Sequence, residues 1–76
     1  MLGRLFVYED FKVENCLYFY RCEMELSQTE LAIKCGLTQN TISSLETGVY
    51  LPNLITAIKI SRVLNKPVDL IWSIVF

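Results

Sequence analysis

Residues 26–48 read LSQTELAIKCGLTQNTISSLETG, and this stretch decides the fold. Ser27, with Glu30 three places on, makes a capping box, in which a hydroxyl and a carboxylate satisfy the first N–H groups of a helix reciprocally. The helix it opens turns Leu31 and Ala32 inward. It stops at Gly36, because glycine enters the left-handed conformation at a helix end without a steric cost. Thr38 caps a second helix from Gln39 to about Thr47, with Ile42 and Leu45 facing the core, and Gly48 ends it. Ala32 sits where the two helices approach most closely, and Leu37 seals the turn between them.

Two capped helices joined by a short turn that begins with glycine form a helix-turn-helix. Working outward, Val13, Leu17, Tyr20 and Met24 recur at spacings of three and four, which predicts an amphipathic helix starting near Asp10. On the other side, residues 49–53 are a loop, and Pro52 before Asn53 marks the next helix start. That helix spans about Leu54 to Leu64, with Leu54, Ala57, Ile58, Ser61 and Leu64 inward and Asn65 as its break. Pro67 suits the first turn of a last helix ending near Phe76. The expectation is therefore an all-α, five-helix domain over residues 11–76, preceded by an N-terminal arm over residues 1–10. Within the arm, Leu5 to Tyr8 fit a short strand, a segment lying on the domain or an irregular terminus equally well.

Composition narrows the function classes. Of the 76 residues, 53% are apolar, enough to fill a helical core and leave apolar side chains over for a surface. No run approaches the roughly 18 apolar residues of a membrane helix, and the start lacks the pattern of a signal peptide. Cys16, Cys22 and Cys35 have no CxxC spacing and the chain has no histidine, so no metal site is expected. Reduced thiols point to a cytoplasmic protein. Without histidine, a glycine-rich phosphate loop or a nucleophile–base pair, no enzyme and no cofactor are expected. A formal net charge of −1 sits at odds with the basic surface usual in nucleic-acid binders.

The chain resembles the Cro/phage-repressor-like helix-turn-helix family, also called XRE-like, from about Leu17 to Trp72. The matching pieces are Arg21, Leu26-Ser27-Gln28, Leu31-Ala32, Gly36-Leu37-Thr38, Thr41-Ile42-Ser43, Glu46-Thr47-Gly48, Pro52 and the closing run from Lys66 to Ile71. The resemblance implies a lambda-repressor-like DNA-binding domain whose second motif helix enters the major groove. It implies that Gln28 contacts a phosphate, that Gln39, Asn40 and Ser44 read base edges, and that Arg21 and Glu46 form an ion pair bracing the motif. Glutamine and asparagine suit adenine, and serine accommodates several bases. The hydroxyls of Thr38, Thr41 and Ser43 are placed to meet phosphates near a helix N-terminus.

Four departures from the family pattern stand out. The second motif helix carries no Lys or Arg, and the loop from Val49 to Asn53 is apolar. Glu25 replaces a turn glycine, and Ile33 and Ile55 occupy generally polar positions. These features bear on the strength of DNA binding rather than on the fold. Val68, Ile71, Ile74 and Val75 recur at helical spacing, so a homodimer interface is expected at Leu70, Ile71, Ile74, Val75 and Phe76. The leading expectation is a repressor-like transcriptional regulator that binds a palindromic operator in double-stranded DNA, with no membrane and no small-molecule ligand. The alternative from the same residues is an adaptor of the same fold that binds another protein through its apolar surface.

Overall fold

The computed structural model describes residues 4–8 and 10–75. In chain order the elements are β1 (Arg4–Tyr8), β2 (Phe11–Asn15), α1 (Leu17–Glu23), α2 (Gln28–Cys35), α3 (Gln39–Thr47), α4 (Leu54–Leu64), α5 (Val68–Ile71) and β3 (Trp72–Val75). Among the described residues five helices are present, but the chain is not all-α. A three-stranded antiparallel sheet, in the order β1-β2-β3, joins its two ends.

The expected first helix divides in two. Residues 11–15 are a strand with Val13 and Asn15 inward, and the helix begins only at Leu17. Phe11 and Val13 alternate with Lys12 and Glu14, a period of two that the four-residue step from Val13 to Leu17 conceals. The last helix is likewise a single turn, after which β3 pairs with β2 in the register Val13↔Ile74 and Asn15↔Trp72. The N–H of Cys16 donates to the Ile71 carbonyl at 2.8 Å, stitching the start of α1 to the start of β3. Leu5 to Tyr8 belong to β1, paired antiparallel with β2.

The core is made of Leu17, Leu31, Ile42, Leu45, Ile60, Leu64 and Ile71, all fully buried. In α4 the inward stripe is Ala57, Ile60 and Leu64. Ala57 and Leu64 face inward as expected, but Leu54 is 70% exposed and Ile58 37% exposed, and Ile60 takes the place expected for them. Residues 54–60 are apolar in several phases at once, and packing against α2 and α5 selects one of them. Ser61 is half-buried and donates to the Lys66 carbonyl at 2.5 Å.

The caps are local and fall where their residue types place them. Ser27 Oγ accepts from the Glu30 N–H at 3.0 Å, and Glu30 Oε1 accepts from the Ser27 N–H at 2.8 Å. Gly36 and Gly48 close α2 and α3 at φ 68° and 77°. Glu25 adopts φ 57°, a left-handed conformation costing a non-glycine residue about 1 kcal/mol.

Glu30 yields a pH prediction. The hydrogen bonds from the Ser27 backbone, then from its side chain, hold the Glu30 carboxyl below the ordinary glutamate range. A lowered folded-state pKa contributes stability above the unfolded value, and that contribution is lost as pH falls through the folded value. Urea unfolding should show part of the acid destabilisation vanish in Glu30→Gln, which keeps the cap but cannot titrate. Identical pH profiles for the two proteins would remove Glu30 from the account.

Candidate nucleic-acid interface

The second helix of the motif, α3, begins at a capped, exposed end. Thr38 Oγ1 accepts from the Thr41 N–H at 3.2 Å and lies 2.9 Å from the Thr41 hydroxyl. Ile42 and Leu45 anchor the helix in the core. A helix so anchored turns its other side outward. Thr38, Gln39 and Asn40 are exposed, and Thr41, Ser43 and Ser44 are half-buried. The face is thus a row of amides and hydroxyls at the helix end where N–H groups and the dipole favour anions.

Thr47, which the sequence reading did not single out, lies exposed further along α3. Its hydroxyl donates to the carbonyls of Ser43 and Ser44, both at 3.1 Å. No Lys or Arg lies in α3, so the charge for phosphate binding has to come from other elements.

Beneath this face runs a connected polar network. Arg21 Nε donates to Glu46 Oε2 at 2.5 Å and Nη2 to Oε1 at 3.1 Å, while Nη1 donates to the Leu26 carbonyl at 2.7 Å. Arg21 and Glu46 are 8% and 4% exposed, so α1 and α3 are joined by a buried, two-pronged ion pair. The hydrogen bond from Arg21 to Glu46 raises the guanidinium's pKa, against the lowering effect of burial. Gln28, the first residue of α2, donates from Nε2 to Glu46 Oε1 at 2.9 Å. Its Oε1 accepts from Gln39 Nε2 at 2.6 Å. The side chain expected to reach a phosphate is thus held between Glu46 and Gln39.

Asn15 is a second structural residue that the sequence reading missed. It is 4% exposed, donates from Nδ2 to the Leu45 carbonyl at 2.6 Å and accepts from the Leu17 N–H at 3.0 Å. One side chain thereby starts α1 and ties β2 to the last turn of α3. The available signal was its type: asparagine just before a short helix favours a cap, and the false helical stripe hid it.

The residues expected at a dimer interface separate. Leu70, Ile74 and Val75 are exposed by 44, 52 and 41%. Ile71 is fully buried and completes the domain's own core, so it presents nothing to a partner. The one-turn α5 explains this, since β3 follows Ile71 and the expected helical stripe does not continue. Phe76 lies outside the described residues.

Two crossing capped helices, the second with a polar exposed face and the first braced beneath it, define a helix-turn-helix domain. The helix-turn-helix family model matches residues 17–71, and the chain belongs to this XRE/Cro-like family. The matched span stops short of all three strands. Among relatives, an uncharacterized HTH-type transcriptional regulator of Methanothermobacter thermautotrophicus is 47% identical over 47 residues, 62% of this chain and 68% of the relative. One from Archaeoglobus fulgidus is 40% identical over 50 residues, 66% of this chain and 70% of its own. The uncharacterized HTH-type transcriptional regulator YgzD of Bacillus subtilis is 34% identical over 61 residues, 79% of this chain and 92% of the relative. Among the described residues no helix is long and apolar enough to cross a membrane.

Proposed function

We propose that the chain is a sequence-specific DNA-binding transcriptional regulator, repressor-like, which binds a palindromic operator in the cytoplasm as a homodimer. The observation that carries this reading is the N-terminal half of α3, where capped backbone N–H groups and the exposed amides of Gln39 and Asn40 share one surface. In the major groove such amides pair with base edges, and the hydroxyls of Thr38, Thr41 and Ser43 meet phosphates. Residues 11–76 form the binding domain in this reading, and β1 (Arg4–Tyr8), from the arm before it, extends its sheet.

The test is in-vitro selection of a preferred duplex, followed by binding at several salt concentrations. Asn40→Ala and Ser44→Ala should each weaken the selected site by roughly 1–3 kcal/mol and leave random DNA nearly unchanged. Equal weakening on both DNAs would show that these side chains do not read bases.

The proposed dimer face is the C-terminal segment without Ile71: Leu70, Ile74 and Val75, beside or on the edge strand β3. Two copies would place their α3 helices about one DNA turn apart, near 34 Å. They would also double the phosphate contacts of a domain short of basic residues. In sedimentation equilibrium, Ile74→Glu should be a folded monomer with much weaker operator binding. A variant that stays dimeric would move the interface, with exposed Leu5, Val7 and Tyr8 of β1 as the next surface.

A second reading, an adaptor that binds another protein, draws support from Ile33, Val49, Leu54 and Ile55, which are 62–73% exposed. Salt separates the two. A DNA reader loses affinity steeply as salt rises and keeps a sequence preference at physiological salt.

A further inference from the structure

We propose that an apolar cleft beside Trp72 binds a small neutral compound of one ring that carries a carbonyl oxygen. The cleft encloses about 230 Å³. Leu51 and Pro52 of the loop between α3 and α4, Leu54 and Ala57 of α4, Val68 of α5 and Trp72 at the start of β3 line it. The sequence led to an expectation of no small-molecule ligand, because these residues come from four elements and meet only in the fold. The site stands whether or not α3 binds DNA.

One polar atom of the lining has no protein partner. Trp72 is 9% exposed, and its indole Nε1 is buried with no hydrogen-bond acceptor among the described residues. No other buried side-chain nitrogen or oxygen among them is left in this way. A buried indole N–H usually finds an acceptor, and leaving it without one costs free energy that a ligand oxygen would recover. The lining dictates the rest of the ligand. None of the residues around the cleft is charged, so an ionised carboxylate entering it would lose its water with no cation in exchange. A neutral oxygen loses far less. An apolar cavity of about 150 Å³ holds benzene, so this cleft has space for a ring and a short substituent. Because Nε1 is closed to water, the acceptor has to pass beyond the mouth of the cleft. Leu54, 70% exposed, is the lining side chain with the most freedom to turn aside. A backbone carbonyl of a folded partner is flanked by its own chain and stops at the surface. A terminal carbonyl on a small ring passes inside.

The experiment titrates the full chain with acetophenone, with toluene, which has the ring but no acceptor, and with benzoate, which is charged. The chain has one tryptophan, so heteronuclear NMR spectra show one indole N–H signal. Acetophenone should move that signal downfield in a saturable titration, the mark of a new hydrogen bond. Toluene should shift the methyl signals of Leu51, Leu54 and Val68 without that downfield move. Benzoate should bind at least about tenfold more weakly than acetophenone. Trp72→Phe keeps an aromatic wall and removes the N–H. It should weaken acetophenone about tenfold and toluene no more than about twofold, read from the same methyl signals. Circular dichroism checks that the variant is folded, and if it is not, the three wild-type titrations decide. No saturable binding of acetophenone, an indole signal that acetophenone and toluene move alike, or benzoate binding as well as acetophenone overturns the inference. So does an equal loss of both neutral probes in folded Trp72→Phe. An indole signal that follows protein concentration with no compound added would give the cleft to a second copy, and overturns it too.

Discussion

Arg21→Ala is expected to destabilise the protein by about 3–5 kcal/mol, because it strands a buried carboxylate. Glu46 is 4% exposed, and the Gln28 amide, which still hydrogen-bonds it, cannot offset its charge. The Leu26 carbonyl loses its guanidinium donor in the same change. For a domain of this size each kcal/mol moves Tm by about 4–8 °C, so thermal denaturation should register a drop of tens of degrees. Removing both charges is a different experiment. Arg21→Met with Glu46→Leu replaces the pair by apolar volume, and such swaps are often near neutral. The double variant should therefore melt well above Arg21→Ala. If Arg21→Ala melts within a few degrees of wild type, the pair does not brace the motif.

Asn15→Leu should be the next most damaging change. The leucine fills a similar volume but offers neither donor nor acceptor. The Leu17 N–H, at the start of α1, loses its side-chain acceptor. The Leu45 carbonyl loses the amide donor and keeps only the longer bond from Gly48, at 3.2 Å. Stranding a buried backbone group costs about 1–3 kcal/mol, so the two losses together should exceed most single surface changes. Asn15→Asp separates them, since it retains the acceptor for Leu17 and turns an oxygen toward the Leu45 carbonyl. Urea unfolding of both variants would check this account. Wild-type midpoints in both would mean that Asn15 does not clamp α3 to the sheet.

The two changes probe different degrees of legibility. Arg21 and Glu46 could be paired from the sequence only through a family resemblance, since 25 positions separate them. Asn15 was concealed by a coincidence of two periods. Gln28 and Gln39, each the first residue of its helix, look like ordinary solvated polar residues in the sequence. Only the packing of α2 against α3 brings their amides together, with Gln28 bonded in turn to the buried Glu46.

What the residues determined by themselves is the motif from Ser27 to Gly48, with its boundaries. Caps, left-handed glycines and inward stripes act over three or four positions, so each is complete within a short stretch of chain. The end of α4 at Asn65 was legible for the same reason. Tertiary structure decided the two ends of the chain, the inward face of α4 and the fate of Ile71. A strand has no internal hydrogen bonds, and β2 and β3 exist as a pair only because Lys12 meets Val75 and Asn15 meets Trp72 across the whole length of the domain. Ile71 could not be assigned to core or interface from spacing alone. Its burial follows from the end of α5 at that residue and the turn of the chain into β3.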